Sequence, residues 1–79
     1  MEKYLKLYNL MNRIAQYQGI NISQKDSLEF EIRVGGPLME SFERLGDIQE
    51  EIKKEIGNEF SLKTVYGDGQ DALLIFTEI

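Results

Sequence analysis

Between residues 3 and 18 the apolar side chains return every three or four positions. Tyr4, Leu7, Tyr8, Met11, Ile14 and Ala15 form the series, and Leu10 and Tyr17 widen it to about half a helix circumference. The spacing predicts a helix over 3–18, with Lys6, Asn9, Arg13 and Gln16 on its polar side. Gly19 follows where a left-handed cap belongs, and Ile20 is placed to pack back against the helix. The polar run Ser23-Gln24-Lys25-Asp26-Ser27 reads as loop.

From residue 28 the period changes to two. Leu28, Phe30, Ile32 and Val34 point one way and Glu29, Glu31 and Arg33 the other, as in a half-buried strand. Gly35-Gly36 ends it, and Pro37 suits a first helical turn, where its missing N–H costs nothing. Residues 37–56 then read as a second helix with Leu38, Phe42, Leu45, Ile48, Ile52 and Ile56 on one stripe. Gly46 interrupts it and offers a break into two shorter helices, with Asp47 and Glu50 as a capping pair. The stripe keeps its phase through the glycine, which favours one helix ending at Gly57. Residues 59–66 and 72–78 are expected strands, joined in a hairpin by the turn cluster Gly67-Asp68-Gly69-Gln70-Asp71. The unbroken run Ala72-Leu73-Leu74-Ile75-Phe76 places the last strand in the middle of the sheet.

The expected fold is therefore a single α+β domain over residues 1–79, of two layers in the order α-β-α-β-β. A three-stranded mixed sheet of order 1-3-2 packs with two helices. The expected core collects Phe30, Ile32, Phe42, Leu45, Ile52, Phe60, Leu62 and one face of the last strand. The other face of that strand needs either the first helix or a second copy of the chain to cover it. The sequence shows no internal repeat.

Composition narrows the chemistry. Among 79 residues there is neither cysteine nor histidine, so disulfides, thiol nucleophiles, imidazole bases and soft metal ligands are missing. The reading is a non-enzymatic chain with no cofactor and no metal. No run resembles a signal peptide or a membrane span, so the expected compartment is the cytoplasm, with no membrane partner. Asn21-Ile22-Ser23 fits a glycosylation sequon by chance in that setting.

The net charge of −5 is unevenly placed. Residues 1–25 hold four bases against one acid, and residues 26–79 hold thirteen acids against five bases. An acidic body disfavours direct nucleic-acid binding. Glu29 and Glu31 read as a solvated face moderated by Arg33, and the two aspartates of the hairpin cluster lack the spacing of a calcium loop.

Two surfaces stand out. The second helix presents Glu40, Glu43, Asp47, Glu50 and Glu51 along its outer side, an acidic face suited to a basic protein partner, with Met39 as an exposed anchor beside it. The first helix carries Tyr4, Tyr8, Met11 and Tyr17, a wider apolar face than one small sheet covers, and Lys6 and Arg13 on its far side offset the acidic body. The function expected is a small regulatory module acting through protein–protein contacts, alone or as a homodimer. The alternatives are an acidic inhibitor encoded by a phage or mobile element, mimicking nucleic acid toward a host protein, and a phosphate or small-ligand binder at Gly35-Gly36.

Overall fold

The computed structural model describes residues 2–79, and Met1 lies outside them. The chain runs α1 (Glu2–Ala15), β1 (Ile20–Asp26), β2 (Glu29–Val34), α2 (Leu38–Ile56), β3 (Phe60–Tyr66) and β4 (Asp71–Glu78). It is an α+β fold with two helices over one face of a four-stranded sheet. The strand order is β1-β2-β4-β3, and every neighbouring pair is antiparallel.

Two expectations are corrected here. The sheet has four strands, and it is antiparallel throughout, not mixed. The missed element is β1, which occupies most of the segment read as loop. Only Ile20 is buried on it and Ile22 half-buried; the other five residues are polar. Such a strand has little side-chain signal, because an edge position exposes one face and one side. Its pairing with β2 holds it, from Ile20 opposite Val34 to Asp26 opposite Glu29, with a bulge between Gln24 and Asp26. Within the sheet β4 lies between β2 and β3, the central place that its continuous apolar run implied.

A second feature is visible only in three dimensions. The units α1-β1-β2 and α2-β3-β4 have the same order of elements, and their hairpins meet along β2 and β4. The topology repeats about an approximate two-fold although the sequence does not.

Both helices pack on the same side. Leu7, Leu10, Met11 and Ile14 of α1 join Leu45, Ile48, Ile52 and Ile56 of α2 over Phe30, Ile32, Val34, Ala72, Leu74 and Phe76. The first helix therefore does not cross the far face of β4. Leu73 and Ile75 point there and stay half-buried, with exposed Val65 opposite Leu73 and Lys63 opposite Ile75. The connection from α1 into β1 depends on Gly19, whose φ of 79° lies where a side chain is strained. Its carbonyl accepts the Gly35 N–H at 2.8 Å, tying the start of β1 to the end of β2.

The long helix is continuous through Gly46. Its buried stripe is Ser41, Leu45, Ile48, Ile52 and Ile56. Phe42, expected in the core, is 43% exposed, and Leu38 is 50% exposed. Ser41 takes the inward position instead. At 2% exposure its hydroxyl lies 2.9 Å from the Pro37 carbonyl, 3.1 Å from that of Gly35 and 3.3 Å from that of Gly36. The rotation that seats this serine over the β2–α2 turn carries Phe42 to the flank. Leu62, the other expected core residue that falls short, is half-buried at the core's edge.

Gly46 has no positive φ, and a Cβ built there meets no atom within 4 Å. Gly46→Ala should therefore raise stability by about 0.5–1 kcal/mol, from helix propensity alone. A parallel shift of the urea midpoint at unchanged slope is the expected reading. Phe76→Ala should cost about 3–5 kcal/mol, a large part of the ~4–12 kcal/mol available to a domain this size. The same titration, or loss of near-ultraviolet circular dichroism, would register it.

Candidate interaction surface

The aromatic face of α1 is spent within the chain. The Tyr4 ring sits 5.8 Å from Phe60, and its hydroxyl donates to Glu78 Oε2 at 2.7 Å. The Tyr8 ring lies 6.1 Å from Phe30, and its hydroxyl donates to the Ser27 carbonyl at 3.0 Å. The Tyr17 hydroxyl reaches the Glu51 carboxylate at 3.0 and 3.1 Å. Met11 is 2% exposed. All three tyrosines are half-buried against the core with satisfied hydroxyls, so this face roofs the sheet.

The bases of α1 are also engaged. Lys3 pairs with Glu78, Lys6 with Glu59 at 3.0 Å, and Arg13 with Glu55 at 3.5 Å. Each pair joins α1 to the C-terminal half of the chain, so the basic helix is matched by acidic residues far from it in sequence. The Lys3 ammonium and the Tyr4 hydroxyl, both hydrogen-bonded to Glu78, hold its carboxyl below the usual value of 4.5. Hydrogen bonding to Glu78 likewise raises Lys3 above 10.5.

The acidic side of α2 is different. Glu40, Glu43, Asp47 and Glu50 are exposed, and among the described residues none of them enters an ion pair. Glu51, the fifth expected member, is half-buried and turned to Tyr17. At 100° per residue the four free carboxylates fall on one ridge, diametrically outward from the buried stripe. Met39 lies at the border of this ridge and is 77% exposed. Leu38 and Phe42 continue from it along the flank that leads to Gln49.

That flank is held to the sheet by a short relay. Thr64 Oγ1 donates to Gln49 Oε1 at 2.9 Å, and Gln49 Nε2 donates to the Tyr66 hydroxyl at 2.7 Å. Tyr66 is 55% exposed. The first half of α2 thus shows an apolar flank, Leu38, Met39 and Phe42, bordered by four unpaired carboxylates. Sequence reasoning found the acids and Met39. It missed Leu38 and Phe42, because their spacing agrees with the core stripe and only the placement of Ser41 reveals that they lie beside it.

The β2–α2 turn is tied together from within. The carbonyls of Gly35, Gly36 and Pro37 gather around Ser41, Gln70 Nε2 also donates to the Gly36 carbonyl, and the Gly35 N–H is taken by Gly19. These contacts bind the turn to the start of α2 and to the β3–β4 hairpin. In the hairpin cluster, Asp71 Oδ1 is buried without a partner, and the described residues contain no group of three metal-ligating side chains. No described helix is long and apolar enough to cross a membrane.

The Glu78 contacts give a pH test with a definite sign. A carboxyl lowered by folding contributes stability above its unfolded value and loses it as pH falls through the folded value. Glu78→Gln should be less stable than the parent at pH 7, and the gap should close below pH 4.5. Urea midpoints across that range measure it, and added salt should narrow the gap at neutral pH. Comparison of the chain with known protein families, with characterised proteins and with solved structures returns no match.

Proposed function

We propose that this chain is a non-enzymatic binding module that docks a basic protein surface through the first half of α2. The observation that carries the reading is the exposed, unpartnered combination on that helix. Leu38, Met39 and Phe42 are 50%, 77% and 43% exposed beside Glu40, Glu43, Asp47 and Glu50. An apolar anchor supplies affinity on desolvation, and a surrounding ring of one charge supplies encounter rate and orientation. The partner so described has an apolar recess rimmed with lysine or arginine. Lack of histidine and cysteine supports a role without catalysis.

Gly46 fits the same reading. It lies between Phe42 and the acidic ridge, and its own fold makes no use of the missing side chain. A glycine there lets a partner's backbone or side chain come close to α2.

A second reading, an inhibitor that mimics nucleic acid, is favoured by the row of acids itself. Helical rise separates Glu40, Glu43, Asp47 and Glu50 by about 4.5, 6 and 4.5 Å along the axis. A row of negative charge at such steps resembles one strand's phosphates and suits a nucleic-acid-binding cleft. The two readings differ in the weight of the apolar flank. The partner is retrieved by the wild-type chain and then bound by variants with a measured association rate. Glu43→Lys, Asp47→Lys and Glu50→Lys together should slow association at least about tenfold at low salt, with the difference shrinking as salt rises. Met39→Asp with Phe42→Asp should chiefly speed dissociation in the docking reading and change little in the mimicry reading. Unchanged binding in both sets would remove α2 as the surface. Sedimentation velocity over a range of concentrations separates a homodimer, which would use the helix-free sheet face around Leu73 and Ile75.

A further inference from the structure

The two helices cover one face of the sheet and leave the other bare. On the bare face, strand pairing lays the side chains out in rows. Glu29 on β2, Ile75 on β4 and Lys63 on β3 form one row, and Glu31, Leu73 and Val65 form the next. Leu73 and Ile75 are half-buried there, and Val65 is 44% exposed. The middle of the face is thus apolar, with a carboxylate on one side of Ile75 and an ammonium on the other. Lys25 pairs with Glu31 at 3.7 Å, but among the described residues neither Glu29 nor Lys63 enters an ion pair. Two strand spacings, about 9.6 Å, separate them, and Ile75 stands between. Over the wider face Lys25, Arg33 and Lys63 balance Glu29, Glu31 and Asp71, although the chain as a whole carries a net charge of −5.

We propose that this bare face binds a second copy of the chain, in a two-fold dimer whose axis runs along β4 between the two sheets. Such an axis exchanges left and right across the face. It sets Lys63 of each copy over Glu29 of the other, and it stacks Leu73 and Ile75 on their own counterparts at the centre. An axis across the strands would instead set Glu29 against Glu29 and Lys63 against Lys63, which repels. The complement to an unpaired acid and an unpaired base on either side of an apolar residue is the same row turned by half a revolution. Charge therefore selects both the occupant and the geometry. Sheets packed in this way lie about 10 Å apart with their apolar side chains between them. The paired stretch of four strands covers roughly 300 Å² in outline, against about 800 Å² per partner in a standard interface, so the dimer is weak and reversible. The acidic ridge of α2 points away from this face, so the dimer and the docking surface stand or fall separately.

Sedimentation equilibrium of the full chain, from about 10 µM to about 1 mM, should show monomer and dimer in exchange with a Kd on the order of 0.1 mM. Over the same range the amide NMR signals of Lys63, Val65, Leu73 and Ile75 should shift, while those of Leu38, Met39 and Phe42 stay in place. Lys63→Glu and Glu29→Lys should each weaken the dimer at least about tenfold, because each sets like charges opposite one another. The chain carrying both changes should regain the parent's affinity. An equimolar mixture of the two single variants should associate where neither does alone. Lys63 is exposed, so the urea midpoint of Lys63→Glu should stay near the parent's and separate loss of the dimer from loss of the fold. A monomer at the highest concentration, a dimer indifferent to Lys63→Glu, a charge-swapped chain that stays monomeric, or shifts confined to α2 would each overturn the proposal.

Discussion

The rest of the structure hangs on a row of five aromatic rings. Phe30 on β2, Phe76 on β4 and Phe60 on β3 meet edge to face across the sheet, at 5.9 Å for Phe30–Phe76 and 6.4 Å for Phe60–Phe76. Tyr8 and Tyr4, one turn apart on α1, close the two ends against Phe30 and Phe60. Edge-to-face pairs of this kind add about 0.5–1.5 kcal/mol each beyond the area they bury. The row also fixes geometry. It ties α1 to β2 at one end and to β3 at the other, across the last strand, which lies between the two strands that α2 connects. A small domain without cysteine has few other ways to lock its layers together.

That row gives the aromatic side of α1 a use within the fold. From sequence, Tyr4, Tyr8 and Tyr17 look surplus, because three tyrosines exceed what three short strands require. The count changes once β1 joins the sheet and widens it beneath α1. Each hydroxyl then finds an acceptor at the layer's rim, on Glu78, Ser27 or Glu51. The amphipathic character that draws tyrosine to interfaces serves equally well at the border of an intramolecular layer.

The long periodic elements were legible because burial imposes its period on them. Both helices, the strand 29–34 and the central β4 follow from spacing of 3.6 or 2, and the continuity of α2 through Gly46 follows from phase. What escaped lies where burial is partial or backbone pairing does the holding. The edge strand β1 carries only two apolar residues, so its side chains say little. Ser41 is the other case: a buried hydroxyl among carbonyls looks, in sequence, like any polar helix residue. One such residue rotates the reading of α2 enough to move Phe42 out of the core and Leu38 with it. Of the candidate surface, the acids and Met39 were therefore readable and the apolar flank was not.

Charge follows the same division. The basic residues of α1 face the acidic residues of α2's last turn, of the turn into β3 and of β4, so Glu55, Glu59 and Glu78 are neutralised inside the fold. The excess of acid is thereby removed from one end of the molecule and left at the other. The four carboxylates of the α2 ridge receive no such match, and they are close enough along the helix axis to repel one another. A solubilising role asks only that charge be present, and dispersed charge would serve it at less cost in repulsion. Concentration on one ridge, beside apolar side chains that the core declines, is the arrangement expected when the missing counter-charge belongs to another molecule. The contrast between the two ends of α2, paired at one and unpaired at the other, is what makes its first half the better candidate for contact.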